Sequence, residues 1–317
     1  MTKILVTPLE ACNAWEGMRE ELGSLRPDAE VVLTHGQVDD ESRLADLLAQ
    51  VDGAILGLER VDAKALSGAT ALRVISRFGV GYDAIDLEVL RERHIRLAIT
   101  RGTQHPAVAR QTIAFLLAIT FNLPGHARRM RSGEWLRVPN MSCGDTTIGI
   151  VGMGAVGREV AALAGALGFR VLAYSRSPFS VEHAAAAASL KELIERSDVV
   201  ILNVALNAET RGLISGEVLS WLAGKSLINT ARGAIVSEPD VLRALDSGEL
   251  SCYAADVFRE EPLSGISQDL AKHDRVLCTP HVGAMDPATA RLMLRRAFEN
   301  AINCLAGADD KVEAYVL

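Results

Sequence analysis

Three short segments of this 317-residue chain carry side chains suited to acid/base and anion-binding chemistry: Asn229-Thr230-Ala231-Arg232-Gly233, Glu261-Pro262 and Thr279-Pro280-His281-Val282-Gly283. Together they supply a guanidinium, a carboxylate and an imidazole. A 2-keto acid that accepts a hydride at carbon develops negative charge on oxygen, so a proton donor must stand beside that oxygen. An imidazolium fills this role, and a carboxylate next to the ring stabilises the charged form. The planar guanidinium matches a substrate carboxylate with two parallel hydrogen bonds, which lysine does not. The set is the equipment for holding an anionic keto acid and moving a proton while a coenzyme moves the hydride. Taken singly, each residue has a structural alternative: Arg232 and Glu261 as a surface ion pair, His281 as a satisfied core histidine.

The coenzyme signal is Ile148-Gly149-Ile150-Val151-Gly152-Met153-Gly154-Ala155-Val156-Gly157. In a strand-turn-helix, Gly152 permits the tight turn, Gly154 lets the backbone approach a pyrophosphate, and Gly157 lets the helix pack close on the strand. Amides opening the helix then face the anion. About 20 residues further on, an NAD site places an acidic residue against the ribose hydroxyls. This chain has Ser175-Arg176-Ser177 there. Without the carboxylate there is no repulsion of a 2′-phosphate, and Arg176 with two hydroxyls offers it charge-assisted hydrogen bonds. The expectation is NADP preferred over NAD, with an arginine that merely stacks on adenine as the alternative.

The elements that must position these groups alternate almost throughout. Lys3 to Thr7, Glu30 to Leu33, Gly53 to Leu56, Val74 to Ser76 and Leu97 to Ile99 read as strands. Helical patterns fall at Ala14 to Leu22, Glu41 to Leu48, Ala63 to Leu66 and Leu87 to Arg93. That alternation predicts a parallel, doubly wound sheet. A long helix near Ala107 to Phe121 follows, broken by Asn122-Leu123-Pro124-Gly125. A second α/β unit starts at Thr146, with strands at Ile148 to Val151, Arg170 to Tyr174, Val199 to Asn203, Ser226 to Asn229, Cys252 to Asp256 and Val276 to Thr279, and a helix at Val156 to Leu167. The alanine run Ala184 to Ala188 reads as a helical or loose surface segment. The last helix, Pro287 to Leu305, begins after Asp286 as cap with proline in its first turn.

A chain of 317 residues is longer than one core usually accommodates, which predicts two domains. A net charge of −7 argues against a nucleic-acid surface. The basic cluster His126 to Arg131 reads as a solvated or subunit-facing surface, with phosphate binding as the alternative. Five cysteines without a C-x-x-C pair fit a reduced, cytoplasmic protein with no disulfide framework and no zinc site. The amino terminus, broken by Pro8, does not read as a signal peptide, and the apolar stretch Phe115 to Phe121 falls below the roughly 18 residues of a membrane span.

At this point the chain resembles the D-isomer-specific 2-hydroxyacid dehydrogenase family, nearly over its whole length. The resemblance rests on Arg77-Phe78-Gly79-Val80-Gly81-Tyr82-Asp83, Ser132-Gly133-Glu134-Trp135, the glycine fingerprint, Thr230-Ala231-Arg232-Gly233, Ala255-Asp256-Val257-Phe258, Glu261-Pro262 and Pro280-His281-Val282-Gly283-Ala284. It implies an α/β fold of two Rossmann-like (flavodoxin-like) domains: a discontinuous substrate-binding domain, 1–101 plus 285–317, and an NAD(P)-binding domain, 102–284, with the active site in the interdomain cleft. It implies Arg232 as the group that pairs with the substrate carboxylate, His281 as acid/base and Glu261 as the carboxylate that orients the ring. The amides of Gly79 and Val80 are implied to hold carboxylate oxygens. Ala155, Val156, Ala205, Thr210, Thr230, Asp256 and Gly283 match positions that line the coenzyme, although Asp256 reads equally as a structural acceptor at a strand end. Arg77 either faces a distal phosphate of a phosphorylated or phosphonate-bearing acid or forms a salt bridge to Asp83 or Asp86.

Family relatives pair through their nucleotide domains, so a homodimer is expected, with Trp135 in the region that reaches the partner. Asn203 and Ala205 replace a usual histidine and proline, and Arg110-Gln111 a usual Ala-Glu pair, which puts the shape of the coenzyme cleft and the hinge in question. The chain ends soon after its last helix, so no carboxyl-terminal regulatory domain is expected. The leading expectation is an NAD(P)H-dependent reductase of a small 2-keto acid. Its alternatives are a nucleotide-sensing, corepressor-like binding protein and a dehydrogenase of another oxyanion such as phosphite.

Overall fold

The computed structural model describes residues 1–317 except Asp39, Glu313 and the side chains of Glu41 and Asp309. The chain divides into two compact units, Met1–Gln104 with Ala284–Leu317, and His105–Gly283. The strands of the first are β1 (Thr2–Val6), β2 (Ala29–Leu33), β3 (Gly53–Leu56), β4 (Val74–Arg77) and β5 (Arg96–Ala98). Those of the second are β6 (Thr147–Val151), β7 (Arg170–Tyr174), β8 (Ala184–Ala186), β9 (Val199–Leu202), β10 (Ser226–Asn229), β11 (Cys252–Ala255) and β12 (Val276–Cys278). The helices, in chain order, are α1 (Leu9–Glu16), α2 (Arg19–Leu25), α3 (Glu41–Leu48), α4 (Leu87–Glu92), α5 (His105–Thr120), α6 (Leu123–Arg131), α7 (Ala155–Ala166), α8 (Leu190–Glu195), α9 (Gly216–Ser220), α10 (Glu238–Asp246), α11 (Gly265–Lys272) and α12 (Pro287–Ala306).

Both sheets are parallel. The first has the order β2-β1-β3-β4-β5, the flavodoxin-like arrangement. Its two faces carry separate cores because side chains alternate along each strand. Ile4, Val6, Ile55 and Val74 pack with Trp15 of α1 and Leu294 and Phe298 of α12, whereas Leu5, Ala54, Leu56 and Ile75 pack with Leu44 and Leu48 of α3 and Leu90 of α4. Covering both faces is why these strands read as unbroken apolar runs. The last helix, capped by Asp286 onto Ala288 and Thr289, belongs to this unit.

The second sheet has the order β12-β11-β10-β9-β6-β7-β8. Strand order reverses between β9 and β6, and the crevice beyond the carboxyl ends of such a switch point is where open α/β sheets take their ligands. Ile148, Ile150, Val199 and Ile228 face one core with Phe115 and Leu116 of α5, and Val151, Val200, Leu202 and Leu227 face the other with Val241 and Leu245 of α10.

Several local expectations are corrected. Ala14 to Leu22 is not one helix: α1 ends at Glu16 and α2 begins at Arg19, with Gly17 and Met18 between. Ala63 to Leu66 lies in turns. Ala184–Ala186 is the edge strand β8, which pairs with β7, so neighbouring backbone overrode alanine's helical preference. The expected break after the long helix is present, with α5 ending at Thr120 and Asn122 at φ 45° making the corner, but Leu123-Pro124-Gly125 also opens a further helix, α6, where proline is tolerated in the first turn. Among the described residues no single helix is long and apolar enough to cross a membrane. The bent pair α5–α6 passes by length and composition, but α5 buries Ala109, Ile113, Phe115 and Leu116 in the second unit's core.

Candidate active site

The site is built at the carboxyl ends of β10, β11 and β12. Asn229, wholly buried at the end of β10, accepts from the Ala231 amide at 3.1 Å and donates to the Arg232 carbonyl at 2.9 Å, which fixes the turn that presents Arg232. The Arg232 guanidinium is half-buried and donates to the Ala231 carbonyl at 2.8 Å. Gly233 then runs so close to Phe258 and Arg259 that a Cβ would overlap their backbone. The turn of Arg232 therefore lies against the loop that leads from β11 to Glu261.

That loop returns to its own carboxylate. The Phe258 amide donates to Glu261 Oε1 at 2.7 Å, and Glu261 Oε2 stands 2.6 Å from Nδ1 of His281. One oxygen is anchored to backbone and the other to the ring, so the carboxylate orients the imidazole and directs its Nε2 away from Glu261. Both side chains keep about a quarter of their surface exposed, 26% each, and are thus reachable by a ligand.

His281 sits in the left-handed region at φ 55°. A non-glycine residue there persists only where its surroundings hold it, and such positions concentrate at functional sites. The holding group is Asp256. Its carbonyl accepts from the His281 amide at 2.9 Å; its carboxylate accepts from the Val282 amide at 2.9 Å, the Gly283 amide at 2.8 Å and the Thr279 hydroxyl at 2.5 Å. Gln111 donates to the same Thr279 hydroxyl at 3.3 Å. Of the two readings of Asp256, the structural acceptor describes these contacts, and a Cβ on Gly283 would meet Asp256 Oδ2 at 2.8 Å.

The residues expected to line the coenzyme fall into two groups. Gly152, at φ 100°, has no room for a Cβ against the Asn203 carbonyl at 2.7 Å, and Gly157 is closed by the Gly152 carbonyl, so both glycines are required by the fold itself. Gly154 is different. It caps α7 with an ordinary φ of −74°, and a Cβ there would meet nothing within 4 Å. Open space in front of the first amides of a 12-residue helix is what an anionic pyrophosphate needs, so these residues fit a dinucleotide. Ala155 and Ala205 are exposed and Val156 half-buried.

Thr210 and Thr230 turn inward. Thr210 Oγ1 donates to the Ala205 carbonyl at 2.6 Å and accepts from the Asn207 amide at 2.9 Å, closing the loop after β9. Thr230 Oγ1 lies 2.7 Å from Thr112 Oγ1 of α5. At the end of β7, Ser175 is half-buried while Arg176 and Ser177 are exposed, and Arg176 is ion-paired with Glu209, a residue that sequence reasoning did not single out. No spacing rule connects the ends of β7 and β9, so only folding reveals that pair.

In the other unit, Arg77 is 4% exposed and its Nε donates to the Gly81 carbonyl at 2.9 Å. It braces the loop rather than projecting from it. Asp86 is engaged as the cap of α4. Gly79 has φ 144°, a conformation that favours glycine, and its amide donates to Thr100 Oγ1 at 2.9 Å. A substrate carboxylate at that amide would compete with the threonine, whereas Val80 is exposed.

The basic cluster on α6 is partly neutralised, with Arg128 paired to Asp274 at 2.9 Å and Arg129 to Glu134 at 3.9 Å.

Residues 113–283 match the family model for the D-isomer specific 2-hydroxyacid dehydrogenase NAD binding domain. Over 267 residues, 80% of this chain and 78% of the relative, it is 35% identical to a glyoxylate reductase of Aeropyrum pernix. It is 34% identical over 274 residues to an (S)-sulfolactate dehydrogenase of Chromohalobacter salexigens, covering 83% and 88% of the two chains. Among solved structures it is similar to the TT0316 protein of Thermus thermophilus, with a TM-score of 0.86, 32% identity and full coverage of both chains. The chain belongs to the D-isomer specific 2-hydroxyacid dehydrogenases, oxidoreductases that act on a CH–OH group with a nicotinamide coenzyme.

Proposed function

We propose that the protein reduces a small 2-keto acid, glyoxylate or a near analogue, preferentially with NADPH, and that Arg232, Glu261 and His281 carry the substrate chemistry. The observation that supports this reading is the 2.6 Å contact between Glu261 Oε2 and His281 Nδ1. With Nδ1 committed to the carboxylate, Nε2 is the ring atom that donates a proton to the keto oxygen as negative charge develops there, and that takes the hydroxyl proton back in oxidation. Arg232 pairs with the substrate carboxylate. The coenzyme, when bound, supplies or accepts the hydride.

Gly152, Gly154 and Gly157 with the first turn of α7 would hold its pyrophosphate, and Ser175, Arg176 and Ser177 its 2′-phosphate. The small-acid reading is supported by the buried, loop-bracing Arg77, whose Nε bonds to Gly81 and is no open anchor for a distal phosphate.

We also propose a homodimer. Trp135 is 80% exposed and lines a groove with Met130, Leu136 and Val138 beside His126, Arg137 and Asn140, a mixed apolar and polar surface of the sort a subunit contact covers. Five free thiols support a reducing, cytoplasmic setting.

The test is a panel of glyoxylate, hydroxypyruvate and phosphohydroxypyruvate, each with NADPH and NADH, together with the sedimentation coefficient of the protein. The reading expects the highest kcat/KM for glyoxylate with NADPH and a dimer by mass. Turnover confined to the phosphorylated acid, or a clear preference for NADH, overturns the corresponding part.

A further inference from the structure

Glu238 opens α10 and is only 2% exposed, yet the proton chemistry above makes no use of it. Its two oxygens reach away from α10, one to the loop that bears Glu261 and the other to α11. In that loop three consecutive amides turn onto side-chain oxygens: Phe258 onto Glu261 Oε1 at 2.7 Å, Arg259 onto Glu238 Oε1 at 2.7 Å, and Glu260 onto Ser267 Oγ at 3.2 Å. Ser267, wholly buried in α11, donates its hydroxyl to Glu238 Oε2 at 2.6 Å. One carboxylate thus joins α10, α11 and the loop.

The loop has no ladder of its own to hold it, because β11 ends at Ala255 and Pro262 follows Glu261. Side-chain acceptors do that work instead, and buried amides without acceptors are costly. On its opposite side the loop is met by Gly233, whose approach to Phe258 and Arg259 admits no side chain. The segment from Arg232 through Gly233 continues through a 3-10 turn, Gly233–Ile235, to α10. The same few residues therefore carry the arginine, clamp the loop of Glu261 and fix their mutual register within this unit.

We infer that Glu238 is a positioning residue of the reaction: its buried carboxylate locks the Phe258–Glu260 backbone so that Glu261 meets the His281 ring. This rests on the reading of Glu261 and His281 as the orienting and acid/base pair. Misplacing a reacting group by about 1 Å lowers a rate by about 100-fold. Glu238→Ala should lower kcat to that extent, leave the dissociation constant for ADP-ribose within about twofold, and move the pH profile of kcat in the direction seen for Glu261→Gln. Glu238→Gln retains an acceptor for the Arg259 amide and can donate to the Ser267 hydroxyl, so it should recover most of the loss.

The deciding measurement is a double-variant cycle read as kcat against pH. If Glu238 acts through Glu261, adding Glu238→Ala to Glu261→Gln changes little beyond Glu261→Gln alone. Multiplying effects, or wild-type turnover in Glu238→Ala beside an impaired Glu261→Gln, overturn the positioning role and leave the acid/base reading standing. Unchanged turnover and pH profile in Glu261→Gln itself sink both. Where Glu238→Ala does not fold, Ser267→Ala carries the same cycle, since it removes one arm of the clamp and leaves the bond to Arg259. There the expected loss is about tenfold, abolished in the Glu261→Gln background.

Discussion

The carboxyl ends of β11 and β12 and the carboxyl end of β7 are built on opposite terms. At the first, Asp256 is 3% exposed and gives its carboxylate to two amides and a hydroxyl, and the neighbouring Glu261 is held by backbone on one side and His281 on the other. At the second, Arg176 and Glu209 form a single ion pair with side chains 69% and 66% exposed. A hydrogen bond to a charged group in a buried network is worth about 1.5–3 kcal/mol, whereas an exposed ion pair contributes about 0.2–1 kcal/mol. On the proposed reading, the geometry for proton transfer is therefore part of the fold. The choice between coenzymes, as proposed, rests on side chains that move at small cost, and should be the property most easily altered by substitution.

The strongest challenge to this contrast is His281→Ala. General acid/base catalysis typically contributes about 100- to 10,000-fold, so kcat for glyoxylate reduction should fall by that factor while NADPH affinity, read by protein fluorescence, stays near that of the parent. A loss below tenfold would mean that the proton comes from elsewhere.

Asp256→Ala tests whether the fold holds the ring. It orphans the Val282 and Gly283 amides and the Thr279 hydroxyl, so unfolding free energy should drop by about 3 kcal/mol or more, and His281, released from φ 55°, should lose most of its activity. Urea unfolding beside kcat measures both. Full stability would show the network to be incidental.

Buried construction also leaves a pH signature. Burial pushes the Cys252 thiol of β11 from 9.0 up to about 11, and pushes the neighbouring Tyr253 phenol up as well. Both groups are neutral when protonated, and the folded state holds the proton more tightly than the unfolded chain. The thiol's contribution is thus complete below pH 9, is lost as pH rises through about 11 and approaches about 3 kcal/mol, whereas that of the phenol begins to fall only above pH 10. Urea midpoints at pH 8, 9.5 and 11 should fall in that order, and Cys252→Ala should flatten the fall in part. An unchanged slope in the variant would assign the alkaline loss to Tyr253 and other groups.

The same contrast explains what was legible in the sequence. Backbone demands are written in single residues: Gly152 and Gly157 admit no Cβ, and Asp286 with Pro287 marks the start of α12. Strands covered on both faces announce themselves as apolar runs, so β7 and β10 were readable to the residue. β8 was not, because three alanines carry no alternation and their strand state comes from pairing with β7. The opening of α6 was hidden by Pro124, which stops a helix in its interior but is accepted in its first turn. At the site, residue types suggested the chemistry of Arg232, Glu261 and His281, but not what holds them. Glu238 and Thr279 act across distances in sequence that no spacing rule covers, whereas Asn229 works within its own turn, on Ala231 and Arg232, and the acceptor reading of Asp256 matches the contacts it makes. Arg77 carried charge at the mouth of a loop suited to anions, yet its burial at the end of β4, with Nε on the Gly81 carbonyl, is a structural fact.

At the exposed end the effects should be smaller and cleaner. Arg176→Ala is expected to weaken binding of 2′-phospho-ADP-ribose about tenfold and leave ADP-ribose unchanged, since only the former has the charge to lose. Equal weakening of both would make Arg176 a platform for adenine instead.

Glu209 gives the smallest and most diagnostic effect. Its carboxylate pairs with the Arg176 guanidinium, so on the proposed reading a 2′-phosphate would displace or share that partner. An exposed pair is weak, and removing the competitor should strengthen 2′-phospho-ADP-ribose binding by no more than about fivefold. Glu209→Gln should therefore raise the ratio of NADPH to NADH affinity through the NADPH arm alone, and added salt, which screens the pair, should narrow the difference between variant and parent. The opposite result, weaker NADH binding with NADPH unaltered, would place the Glu209 carboxylate on the ribose hydroxyls of NAD. The end of β9 would then supply the acidic group that is missing from the end of β7.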